Sequence, residues 1–192
     1  MPRAIFWLQG ITLVWMSIEA GVSLFAAMKA RSSVLLAFGS DSIVELLSAS
    51  VVLMALIPAF SISKERAARW AGFLLFALAG VVALTATLSL VYRVEPKTSH
   101  LGIGITIAAL IIMPILARQK RRMAKTTNNR ALAADSVQSA TCAYLAAITL
   151  AGLAIHAIFH IRWIDSLAAL AVLPILWIEG RRALRGESCG CC

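Results

Sequence analysis

Two carboxylates, Asp41 and Glu45, stand four residues apart inside the apolar run 33–60, in the stretch Gly39-Ser40-Asp41-Ser42-Ile43-Val44-Glu45-Leu46-Leu47-Ser48. At helical pitch, residues four apart lie on one face, one turn from each other. An ionisable side chain at the centre of a bilayer costs about 2.5–3.5 kcal/mol on insertion scales. Two of them within a turn, with no Lys or Arg in the same run, point to a bound cation or proton. The plainer alternative is a pair of buried acids satisfied by Ser40, Ser42 and Ser48 or by a basic partner.

A second polar stripe lies in the run 131–159. Asp135, Gln138, Ser139 and Cys142 fall at helical offsets of 0, 3, 4 and 7, which places them along one side of a helix. Asp offers a hard oxygen, Gln a neutral carbonyl, and Cys a soft thiolate once deprotonated. Facing Asp41 and Glu45, this stripe would complete a polar cage. Gln138 and Ser139 also suit plain interhelical hydrogen bonding, and Cys142 plain packing. Glu19, midway along the first apolar run, belongs either to the ion path or to a protonated acid inside a bundle. His156 and His160, one turn apart, have metal-ligand spacing at the end of a helix. Asp165, followed by Ser166 and apolar residues, reads as the cap of the last helix.

The elements that must position these groups are membrane helices. Of 192 residues 60% are hydrophobic, and the mean hydropathy of +0.86 is too high for a soluble domain of this length. Six apolar segments, 4–28, 33–60, 70–92, 101–117, 131–159 and 164–178, are each long enough to span as a helix. The expected fold is all-α, with a six-helix transmembrane domain over residues 4–185 and a short Cys-rich tail over 186–192. The first apolar run continues past Glu19 without a small-residue cleavage site, so it reads as a retained helix rather than a signal peptide.

The net charge of +9 comes from basic residues lying between the apolar runs, which makes them topology signals rather than a nucleic-acid surface. One set of connections and termini holds 13 Lys and Arg, the other five, so both termini are expected on the cytoplasmic side. The segment Arg118-Gln119-Lys120-Arg121-Arg122-Met123-Ala124-Lys125 reads as part of a basic loop over 118–130 that determines topology and touches lipid headgroups. There is no Gly-rich phosphate loop, no Ser/His/Asp set and no redox Cys-x-x-C, so no enzyme chemistry is expected. Cys189, Cys191 and Cys192 close the chain as Cys-Gly-Cys-Cys. That tail suits chelation of a soft ion, palmitoylation, or no role.

At this point the chain resembles the cation diffusion facilitator family of divalent-metal transporters. The resemblance rests on residues 36–45 (LAFGSDSIVE), on Lys64-Glu65-Arg66, on residues 133–138 (AADSVQ) and on residues 163–170 (WIDSLAAL), and it extends over about residues 8–185. It implies that an acid or His and an acid on helix two face a His and an Asp on helix five around one metal ion. Asp41 and Glu45 match the helix-two positions. On helix five, Gln138 stands at the His position and Cys142 at the Asp position, with Asp135 three residues before Gln138. Gln is a poorer zinc ligand than His, and Cys shifts the donor set toward softer ions. The family's cytoplasmic C-terminal domain and His-rich loop are not expected here.

The resemblance implies efflux of a divalent heavy-metal cation, zinc foremost with cadmium or cobalt as alternatives, by metal/proton antiport. The metal is cargo, displacing protons from its ligands, and no cofactor is bound permanently. It also implies a homodimer among lipids in a bacterial cytoplasmic membrane. The alternatives are a metal-binding membrane scaffold without transport and a proton-coupled exporter of small organic cations.

Overall fold

The computed structural model describes residues 2–54, 64–93, 95–128, 130–161 and 163–185. These form six α-helices and no strand: α1 (Pro2–Ala30), α2 (Ser33–Met54), α3 (Lys64–Val91), α4 (His100–Thr127), α5 (Arg130–Phe159) and α6 (Ile164–Arg185). The protein is all-α, as its apolar runs predict. Four helices end on a residue in the left-handed region, Arg31, Arg93, Asn128 and His160, with φ of 50–53°. Asn128 shows how such a stop works: its N–H donates to Ala124 O and closes α4.

Helix α4 runs ten residues beyond its apolar part. Residues 118–127, expected as a basic loop, are its last turns. The reason is local. Arg, Lys, Gln, Met and Ala are strong helix formers, and the turn residue arrives only at Asn128. Loss of hydropathy marks the edge of the apolar zone, not the end of the helix.

α1 packs against α2 and α4, and α5 packs against α4 and α2, so these four close into a ring. α3 and α6 pair with each other beside α2, and α6 also touches α5. Phe76 of α3 meets Trp177 of α6 edge to face, with ring centroids 5.0 Å apart. Small residues set the closest approaches. A Cβ on Gly39 of α2 would lie 3.0 Å from Leu24 of α1, and one on Gly152 of α5 would lie 2.7 Å from the Cβ of Ala168 of α6.

The ring helices carry the stretches long and apolar enough to cross a membrane: Ala4–Ala30, Ser33–Ser50, His100–Thr127 and Asp135–Phe159. Shorter apolar stretches, Ala79–Val91 and Ile164–Ile178, lie in α3 and α6. On α1 the polar residues Gln9, Thr12, Glu19 and Ser23 are buried, whereas Trp7, Ile11, Val14, Ile18 and Phe25 face outward. Lipid solvates apolar side chains and gives polar ones no partner, so the polar stripe must turn into the ring. The protein is membrane-embedded.

One polar clasp joins the two turns at the far end of the ring. Asp165, expected as the cap of α6, caps α2 instead. Its carboxylate accepts from Ser33 N at 2.7 Å, from Val34 N at 3.4 Å and from the Ser32 hydroxyl. Ser32 Oγ in turn accepts from Leu35 N at 3.2 Å. An anion at the start of α2 satisfies backbone donors that have no partner within the helix. Because Asp165 is buried, Asp165→Ala should lower stability by about 2 kcal/mol. Unfolding in detergent measures this, and a transition equal to wild type would contradict the clasp.

Candidate functional site

Every ring helix sends a polar side chain to one level of the interior. α2 supplies Glu45 and Ser48, α4 Lys120, α5 Asp135 and Ser139, and α1 Gln9. The Lys120 ammonium lies 2.9 Å from Asp135 Oδ2 and 3.4 Å from Glu45 Oε1, and donates to Ser139 Oγ at 2.8 Å. The Ser139 hydroxyl contacts Glu45 Oε1. Asp135 also accepts from Gln9 Nε2 at 2.8 Å and from Ser48 Oγ at 3.3 Å. Lys120, Glu45, Gln9 and Ser139 are fully buried, and Asp135 is 1% exposed.

A second group lies deeper. Three residues along α5 from Ser139, about 4.5 Å at the helical rise, Cys142 meets Glu19 of α1. The thiol lies 3.4 Å from Glu19 Oε1, which also accepts from Ser42 Oγ at 2.8 Å. Asp41, one turn before Glu45 on α2, is buried too. Among the described residues, Glu19 Oε2, Glu45 Oε2 and Gln9 Oε1 find no hydrogen-bond partner.

Among the described residues the ring encloses the carboxylates of Glu19, Asp41, Glu45 and Asp135 and the ammonium of Lys120. Glu19, Glu45 and Asp135, if all ionised, would exceed the charge of Lys120 by two. In a medium of low dielectric such an excess favours bound protons or a further cation. This charge imbalance is the chemical capacity of the site.

Asp41, Glu45, Asp135 and Cys142 all lie inside the ring, on the facing sides of α2 and α5. Gln138 is half-buried, and it is Ser139 that contacts Glu45. Neighbouring residues on a helix point about 100° apart, so only one of the two can face Glu45 squarely. Cys189, Cys191 and Cys192 lie outside the described residues. His156 is buried with Nδ1 3.1 Å from Ile161 O, whereas His160 is exposed at the end of α5. Among the described residues no group of three or more His, Cys, Asp and Glu side chains is positioned to hold a metal ion.

Lys120 and Gln9 are the members of this polar cluster that sequence reasoning missed. Within 33–60 the two acids have no basic neighbour, but α4 brings one from 75 residues away. The signal was present: Met113, Ala117, Lys120 and Ala124 continue a single buried stripe of α4. No family model matches the chain, and no curated protein matches its sequence.

Removing one partner of a buried ion pair strands the other, at a cost of about 3–5 kcal/mol. Lys120→Met and Asp135→Asn should therefore be strongly non-additive, the double variant losing at least about 1 kcal/mol less stability than the two single losses together. Denaturation in detergent measures the cycle. Additive losses would mean that the two side chains do not interact.

Proposed function

We propose that the protein is a membrane transporter exchanging divalent metal cations for protons through the interior of the α1, α2, α4 and α5 ring. The observation that carries this reading is the burial of Glu19, Asp41, Glu45 and Asp135, with Lys120 beside Glu45 and Asp135, among helices apolar enough to cross a membrane. Such a set can take up protons or, once its side chains converge, a metal cation, and exchange of one for the other requires in addition that the ring open alternately to each side. Asp41 and Glu45 are the ligands from α2, with Asp135 and Cys142 from α5. The thiol beside carboxylate oxygens suits zinc, cadmium or cobalt. The likeness of residues 36–45 to the helix-two motif of cation diffusion facilitators supports the same cargo. With an inward proton gradient the net movement is metal efflux.

In this reading α3 and α6 also cross the membrane, giving six crossings with both termini in the cytoplasm. The Lys120 level then faces the cytoplasm, since Arg118, Arg121, Arg122 and Lys125 are exposed on the same end of α4.

A second reading is a metal-binding scaffold that does not transport. It is favoured by the Lys120 pairs, which give Glu45 and Asp135 a resident counter-ion. Flux into proteoliposomes loaded with a fluorescent metal indicator separates the two, run with zinc, cadmium, cobalt and manganese across a proton gradient. The transporter accelerates uptake and dissipates the gradient, and Asp41→Asn should cut the rate at least about tenfold because one charged ligand is gone. Wild-type rates in that variant would remove Asp41 from the path, and absence of flux for every metal would leave the scaffold.

Orientation has its own check in a background with the native cysteines replaced by serine. Thr98→Cys should react with an impermeant maleimide added outside intact cells, and Thr126→Cys should not. The reverse pattern would invert the topology.

A further inference from the structure

We propose that Lys120 is a tethered competitor of the transported cation: its ammonium fills the oxygen-lined place between Glu45, Asp135 and Ser139, and cargo binds there only when that side chain withdraws. The inference rests on the transport reading and names the residue that sets the affinity of its site.

The geometry is that of a bound cation. Nζ lies within 2.8–3.4 Å of a Ser hydroxyl and two carboxylates from two other helices. A third helix orients the cage, because Gln9 of α1 fixes Asp135 through Oδ2, the same oxygen that meets Lys120. The carbonyl of Gln9 and the second oxygen of Glu45 are left without partners among the described residues. A divalent ion in place of the ammonium would find those donors at hand.

The side chain has somewhere to go. Arg118 and Gln119 just before it, and Arg121 and Arg122 just after it, are exposed, so this turn of α4 reaches a zone that solvates cations. A flexible Lys stem can carry its ammonium there. The apparent affinity for cargo is then the intrinsic affinity reduced by the fraction of molecules in which Lys120 has withdrawn. A resident lysine also disfavours monovalent ions, which offer the cage no more charge than the ammonium they replace.

The test is calorimetric titration of zinc and of manganese into the purified full chain in detergent, with Cys189, Cys191 and Cys192 changed to serine in every protein compared. Lys120→Met keeps the length of the stem and removes its charge. It should bind metal at least about tenfold more tightly than the Lys120 protein. Equal or weaker binding by a folded Lys120→Met would overturn the competitor role while leaving the transport reading intact. Absence of binding in both proteins would overturn both.

A second measurement needs no variant at position 120. Saturating zinc should raise several-fold the rate at which an uncharged amine-reactive reagent modifies Lys120, read by mass spectrometry against Lys29, Lys97 and Lys125 as internal references. A rate that zinc leaves unchanged would overturn the proposal even if Lys120→Met fails to fold.

Discussion

Burying a carboxylate away from water is costly unless a proton, a cation or several hydrogen bonds compensate it, and the four ring helices each bring part of that compensation to one place. α2 carries Asp41 and Glu45, α5 answers with Asp135, Ser139 and Cys142, α1 with Gln9 and Glu19, and α4 with Lys120. Take away any one of these helices and a charged group is left facing hydrocarbon. The packing follows from this need. Glycines at the α1–α2 and α5–α6 contacts let the backbones come close, and the polar stripe of α1 turns inward because lipid would leave it without partners.

The same constraint divides the molecule. The ring holds the buried Glu19, Asp41, Glu45, Asp135 and Lys120, whereas α3 and α6 meet through an aromatic contact and lie beside it. The two parts are joined by the Asp165 clasp, where a carboxylate from α6 caps α2. That clasp holds the start of the helix carrying Asp41 and Glu45, alongside the packing of α6 on α5 and α2.

Much of this was legible in the sequence, for reasons that can be stated residue by residue. Apolar runs bounded by basic clusters located all six helices. Asp41 and Glu45 stood out because a charged pair in an apolar run has few innocent explanations. The stripe on α5 was found by its period, and three of its four members face the ring. Between the adjacent polar residues Gln138 and Ser139 a spacing rule does not choose, and it is Ser139 that contacts Glu45.

Lys120 was hidden by its neighbours. In a run of Arg and Lys every basic residue looks like a topology signal, and only the inward period of α4 tells one of them apart. Asp165 was misread for a related reason: a cap is usually local, and nothing in its own neighbourhood reveals that the helix it caps begins 132 residues earlier.

In the proposed reading the interior of the ring is a cation site and not only a structural ion pair. Anomalous diffraction from crystals grown with cadmium or zinc tests this directly. An ion peak inside the ring, within coordination distance of Glu45 and Asp135 or of Asp41 and Cys142, is the predicted result. Metal-saturated crystals that show no peak in the ring, with Lys120 still seated between Glu45 and Asp135, would contradict it.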